Sequence, residues 1–216
     1  QQPADRRLFD DPLAVAMSQS GNPECLVLRH ATIDEIIRRE TSIPQMVIFG
    51  AGMDSRAQRM DLNGTKIWEL DLPSVVEFKN RLPDWDTPNV VRIGLDCDNY
   101  YDMVLTALER NGWDRDTPTL FVLEGFLCYL ENGLQLMQTL VRVPGCKVIV
   151  DGVKAKRGKI KTAVDGTDWW KRVGMCTAER YAPVSEPLKT RSRKTQSPFQ
   201  IFVAKPTDFT MMSTSI

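Results

Sequence analysis

The residues best suited to chemistry in this 216-residue chain fall at the ends of successive apolar runs. Gly50-Ala51-Gly52 follows the run 46–49. Glycines suit a turn where the backbone must come close to a ligand, because a Cβ would block the approach. Asp71 lies 19 residues after Gly52, at the end of the next run, with Glu69 two residues before it. A carboxylate in that place can accept hydrogen bonds from two ribose hydroxyls. Asp96, Cys97 and Asp98 follow the third run, and Glu124 ends the fourth. NAD, FAD and S-adenosylmethionine binders share such a pattern. One position narrows it. A GxGxxG fingerprint beginning at Gly50 needs its third glycine at position 55, which is Ser55. The pyrophosphate turn is incomplete, so a ligand without pyrophosphate fits better. Each piece alone has a plainer reading: a tight turn at Gly50–Gly52, a helix cap at Asp71 before Pro73, a solvated strand end at Glu124. Their appearance on consecutive strand ends favours a shared crevice.

The elements that must position them follow from periodicity. Residues 46–49, 66–73, 89–93, 119–125 and the segment after Pro144-Gly145 are predicted strands, and the continuous apolar run 46–49 has the pattern of a strand covered on both faces. Helices are predicted at 8–19, 24–40, 73–81, 100–111 and 131–142. Residues 199–205 alternate as a last strand, TDWWKRVG (167–174) is helix-prone, and 186–198 reads as a basic, proline-bounded loop or hairpin. The end of the chain, 213–216, reads as a frayed tail. Strands alternating with helices argue for an α/β fold with a doubly wound, mostly parallel sheet. Ligands of such sheets sit outside the carboxyl ends of the strands, where the polar residues above fall.

Composition excludes several alternatives. The chain is 42% hydrophobic and 26% charged, like an average globular protein. The five cysteines, Cys25, Cys97, Cys128, Cys146 and Cys176, show no zinc spacing and no secretory framework. They point to a reduced, cytoplasmic compartment. A lone histidine, His30, argues against a histidine-based triad or metal site. No apolar run approaches the roughly 18 residues of a membrane helix, and the pI of about 6.8 gives no reason to expect a nucleic-acid partner. The start, QQPADRR, lacks an initiator Met and an apolar signal core, and reads as a trimmed or processed end. The neutral total charge is a cancellation: residues 1–150 hold 15 basic and 22 acidic side chains, and residues 151–216 hold 13 and 6.

Taken together, RHATID (29–34), VIFGAGMDSRAQRM (47–60), WELDLPSVVEFK (68–79) and PTLFVLEGFLCYL (118–130) resemble the leucine carboxyl methyltransferase family. The resemblance covers residues 8–153. It implies one class I methyltransferase domain over 1–216, Rossmann-like, with about seven strands and S-adenosyl-L-methionine as cofactor. The cofactor-binding core would be 8–153, and 154–198 a variable basic lid or acceptor region. By position, the resemblance implies Arg29 on the methionine carboxylate and the Gly50-Ala51-Gly52 turn beside it. Asp71 would meet the ribose, with Glu69 as its neighbour. Asp96 and Cys97 would face the adenine, Glu124 the methionine amino group, and Tyr129 the reaction pocket as the catalytic candidate. No metal site is expected.

The chemistry of these types agrees. A guanidinium pairs with a carboxylate in bidentate fashion, and carboxylates suit an ammonium, a sulfonium and hydroxyls. With no evident general base, a carboxylate or acidic hydroxyl is the favoured acceptor, on a small molecule or a peptide C-terminus, since a carboxylate is already ionised at neutral pH. Trp169 and Trp170 either wall the pocket or pack beneath a lid. The leading expectation is an O-methyltransferase. A non-catalytic S-adenosylmethionine-binding regulator is the alternative, and a dinucleotide oxidoreductase is disfavoured by Ser55.

Overall fold

A computed structural model describes residues 24–40, 42–83, 85, 87–153, 166–181 and 199–206. The expected helix at 8–19, the loop at 186–198 and the tail at 213–216 lie outside them. The chain order is α1 (Glu24–Arg39), β1 (Gln45–Phe49), a one-turn α2 (Arg56–Arg59), β2 (Lys66–Asp71), α3 (Pro73–Asn80), β3 (Val90–Gly94), α4 (Val104–Arg110), β4 (Thr119–Leu123), a 3-10 turn at Leu127–Tyr129, α5 (Gly133–Leu140), β5 (Lys147–Val153), α6 (Gly166–Val173), β6 (Met175–Tyr181) and β7 (Phe199–Pro206).

Seven strands form one sheet in the order β3-β2-β1-β4-β5-β7-β6. The first five run parallel, and β7 is antiparallel to both β5 and β6. Every residue of β1 and of β4 is buried, as expected of central strands covered on both sides. On one face, Ile33, Ile36 and Ile37 of α1 pack on Met46, Ile48, Val122, Ile149, Ile201 and Val203. On the other, α4, α5 and α6 cover Val47, Phe49, Phe121, Leu123, Val148 and Val150. Trp169 and Trp170 belong to that second core. Their rings meet edge-on with centroids 4.8 Å apart, and Trp170 packs on Phe202 at 5.4 Å. Both side chains are therefore packing residues and do not wall a pocket.

β6 is a departure from the sequence reading. It has no apolar run of its own and gains strand structure by pairing with β7. So residues 166–181, read as part of a variable region, form a core helix and the sheet's edge strand. The expected helix at 100–111 is shorter, beginning at Val104, because Asp96 holds the preceding turn: its carboxylate accepts the backbone N–H groups of Asp98 and Asn99. None of the described helices is long and apolar enough to cross a membrane.

Register aligns the strand ends. Phe49 pairs with Leu70, Asp71 with Gly94, and Leu123 with Val150. Gly50, Asp71, Glu124 and Asp151 therefore sit at or just beyond the carboxyl edge of the sheet.

Candidate functional site

The turn after β1 needs both of its glycines, for different reasons. Gly50 and Gly52 have φ of +59° and +42°, a region that disfavours side chains. At Gly50 a Cβ would lie 2.3 Å from Cδ2 of Phe126, whose ring packs against the turn. At Gly52 the nearest heavy atom to a Cβ would be the Gly50 carbonyl oxygen at 3.9 Å. Backbone approach by a ligand is thus open at Gly52, and Gly50 serves the packing of Phe126. Ala51 is buried, and its N–H donates to the Leu70 carbonyl at 3.2 Å, tying the turn to β2. Ser55 is buried and accepts a hydrogen bond from Arg59 Nε at 3.2 Å, so a packed side chain fills the place of the missing third glycine.

Asp71 ends β2 half-buried. Its Oδ2 accepts the Gly52 N–H at 2.7 Å and its Oδ1 accepts the Leu72 N–H at 2.7 Å. A carboxylate has about four acceptor sites, so each oxygen keeps capacity for a ligand hydroxyl. Glu69 shares the face of β2 with Asp71, since side chains alternate along a strand, but lies deeper. It is buried with Lys79 Nζ at 2.8 Å and Arg92 Nε at 3.0 Å. Lys79 also donates to the Asp54 carbonyl at 2.8 Å. Burial pushes Glu69 up and Lys79 down from their usual ranges, against their mutual attraction. Glu69 thus stands with a buried structural cluster beneath the turn, away from the strand-end rim.

Cys97 is buried among core residues, with Sγ directed to the Leu95 carbonyl at 3.7 Å. Burial, with Asp71 and Asp96 nearby, pushes its thiol up to about 12. Asp96 faces its own loop. Besides the two N–H groups, its Oδ2 accepts Asn99 Nδ2 at 2.7 Å, which holds it below the usual carboxylate range. Asp98 then accepts the N–H groups of Glu131 and Asn132 at 3.1 and 2.7 Å, joining the loop after β3 to the start of α5.

Around Glu124 the structure assembles a charged cluster. Arg29 Nε donates to Glu124 Oε1 at 3.0 Å, and Arg29 Nη1 donates to Asp151 Oδ2 at 3.1 Å. His30 Nδ1 lies 2.9 Å and Arg56 Nη2 2.6 Å from Glu124 Oε2. Arg59 Nη2 approaches His30 Nε2 at 2.6 Å. Arg56 Nη2 also lies 2.9 Å from His30 Nδ1. A proton on Nδ1 satisfies two of the three His30 contacts, donating to Glu124 and leaving Nε2 to accept from Arg59, and Arg56 Nη2 then donates to Glu124. Burial raises the affinity of Glu124 for a proton, but Arg56, His30 and Arg29 outweigh it and hold the carboxyl below the usual range. Asp151, in β5 just past its pairing with β4, accepts the Gly125 N–H at 2.6 Å; burial holds it above the usual range despite Arg29. Gly125 has φ of +59°, and a Cβ there would lie 2.8 Å from Arg29 Nη2, so the guanidinium lies over a position that must lack a side chain. Tyr129, in the 3-10 turn that follows, is 63% exposed at the rim.

Arg29, Glu124 and the glycine turn are thus linked at one end of the sheet, with Asp71 bonded to that turn. Sequence reasoning missed Arg56, Asp34, Asp54 and Asp151. Asp151 had a readable signal, an acid directly after the apolar run Val148–Val150. Arg56 had only its place beside the turn in GAGMDSR.

The comparisons with known proteins agree with this geometry. A crystal structure from Thermobifida fusca, described as a methyltransferase, superposes with a TM-score of 0.64 at 14% identity, covering 85% of this chain and 82% of that one. Magnesium protoporphyrin IX methyltransferase from Synechocystis, crystallised with S-adenosylmethionine, gives 0.56 at 12% identity, covering 94% and 89%. The fold is that of the class I S-adenosylmethionine-dependent methyltransferases. Within that class, the leucine carboxyl methyltransferase family profile matches residues 1–140, and the chain belongs to that family. One relative, from Mycobacteroides abscessus and named for S-adenosyl-L-methionine-dependent methyl transfer, is 34% identical over 192 residues, covering 81% of this chain and 62% of the relative. A Mycolicibacterium gilvum protein of the same name is 33% identical over 147 residues, covering 61% and 47%. The chain thus spans about half to three-fifths of the length of these relatives.

Proposed function

We propose that the protein is an S-adenosyl-L-methionine-dependent O-methyltransferase acting on a carboxylate or acidic hydroxyl. The observation that carries this reading is the joined rim: Asp71 bonded to the open Gly52 turn, with the ionised Glu124 and Arg29 along the same sheet edge. The donor set fits the cofactor. Asp71 has acceptor capacity for ribose hydroxyls, Gly52 admits close approach, and a carboxylate paired with a guanidinium suits an amino-acid head group. When bound, S-adenosylmethionine supplies an electrophilic methyl group open to in-line displacement by an acceptor oxygen. The chain's own task is then to orient. Holding reacting atoms in line supplies roughly 7–11 kcal/mol of a barrier. Arg29 and Glu124 hold the head group, and Tyr129, exposed at the rim, orients the acceptor. His30, the imidazole in that cluster, has its two nitrogens engaged by Glu124 and Arg59, so an acceptor that is already ionised suits the site. Three buried free thiols support a reducing, cytoplasmic setting.

Calorimetry and thermal shift with S-adenosylhomocysteine and with NAD test the first half. A ligand at 100 times its Kd stabilises by about 2.7 kcal/mol. The expected result is a shift with the former and none with NAD; the reverse sinks the reading. Mass spectrometry after incubation with S-adenosylmethionine and panels of carboxylates and phenols tests the second half. A product 14 mass units heavier from an oxygen acceptor is expected.

A further inference from the structure

Arg56 is wholly buried, and a buried guanidinium needs its donors matched by acceptors. Its Nε donates to Asp34 Oδ1 at 2.7 Å, and its Nη1 to Asp54 Oδ2 at 2.5 Å. Those two carboxylates already exceed its single charge, and Asp34 is shared with Arg59 at 2.6 Å. The third arm, Nη2, reaches Glu124 Oε2 at 2.6 Å. The dependence is informative from the glutamate's side. Oε2 receives both Arg56 and His30, whereas Oε1 receives Arg29 alone. A carboxylate oxygen has two lone-pair sites, so Oε2 is filled and Oε1 retains one.

We propose that Arg56 is a positioning residue for cofactor binding: by filling Glu124 Oε2 together with His30, it fixes the carboxylate with Oε1 as the oxygen left to receive the amino end of S-adenosylmethionine. This rests on the cofactor reading given above and adds a residue that touches no ligand itself. The groups facing Glu124 are Arg29 and His30 from α1, Arg56 from α2 and Asp151 from β5. Arg56 is the largest of the influences that oppose its burial. Removing it leaves burial less opposed, which raises the Glu124 carboxyl.

The test compares wild type, Arg56→Met and Arg56→Lys in the full chain, by S-adenosylhomocysteine calorimetry from pH 5 to 8. Wild-type affinity is expected to show no loss from Glu124 protonation. Arg56→Met is expected to bind at least about tenfold more weakly, the scale of one charged hydrogen bond, and to weaken further as the pH falls. Arg56→Lys keeps a cation beside Asp34 and Asp54 but cannot serve three acceptors in a fork. It is expected to lie between the two in affinity, with the flat pH profile restored. Should Arg56→Met not fold, Arg56→Lys decides, together with a carbon-13 titration of the Glu124 carboxyl in ligand-free protein. That carboxyl is expected to titrate higher in Arg56→Lys than in wild type. Wild-type binding with unchanged affinity and profile in the folded variants overturns this inference alone. Wild type that binds no S-adenosylhomocysteine overturns the function reading and this inference with it.

Discussion

Asp71 shows how much one side chain can join. Its carboxylate holds the Gly52 N–H and keeps acceptor capacity for the ligand hydroxyls proposed above, so one atom group shapes the turn and would grip what lies on it. Asp71→Asn keeps the volume and removes the charge. Charged hydrogen bonds contribute about 1.5–3 kcal/mol, so S-adenosylhomocysteine affinity should fall by roughly tenfold to a hundredfold. Calorimetry measures this, and unchanged affinity would remove Asp71 from the site. The cysteines behave differently. Burial pushes Cys97 and Cys146 up to about 12, which leaves almost no thiolate at pH 8. Iodoacetamide labelling of the native protein at that pH should leave both unmodified in a peptide map, and labelling in urea should modify both. At this scale the sequence showed types well and pairings poorly. Asp71 and Glu124 were readable because each ends an apolar run. Arg56 was not, because its burial depends, besides the neighbouring Asp54, on Asp34 and Glu124, which the fold brings from two other segments.

The elements that carry the site were the most legible part of the fold. β1 and β4 announce themselves by the apolar runs Met46–Phe49 and Leu120–Leu123, and α1 by the spacing of Ile33, Ile36 and Ile37. β6 gave no such signal, because an edge strand with one neighbour takes its conformation from pairing with β7. The depth of Glu69 was not legible for a related reason: strand position revealed its face alone, and depth is set by α3 delivering Lys79 above it. That contact clamps α3 to β2 and to the Asp54 carbonyl. Breaking one side of a buried pair typically costs about 3–5 kcal/mol, and replacing both sides by apolar groups is often neutral. Lys79→Met should therefore lower the urea midpoint markedly, and adding Glu69→Leu should recover only part of it, because the buried Arg92 then loses its carboxylate. A single variant as stable as wild type would show that the pair does not clamp these elements.

For the whole molecule, the buried acids set the dependence of stability on pH. Asp34 and Glu124 stay ionised in the native state below the pH of about 4 at which the unfolded chain takes up their protons. The unfolded chain binds more protons there, so the stability they contribute is present above that pH and lost as the pH falls. Glu69 and Asp151 are shifted the other way, and their contribution is lost as the pH rises above about 4 through their native values. Urea unfolding of Glu124→Gln should show a lower midpoint than wild type at pH 7 and converge with it toward pH 3. Parallel curves would place the acid sensitivity elsewhere. The charge division seen in sequence, acidic before residue 150 and basic after it, acquires a partial structural reading. Several of the acids are spent on arginines inside the sheet's rim, while many of the later basic residues lie outside the described residues. The bonds that make that rim also span long stretches of chain: Arg29 reaches Glu124 across 95 residues and Asp151 across 122. Such pairings bring their stabilisation only once the loops between them have closed. No fragment ending before residue 151 can complete the rim, and a partly folded chain has none. Saturation with a tight ligand therefore counts finished molecules, so the stoichiometry of a preparation is a direct measure of how much of it has folded to the end.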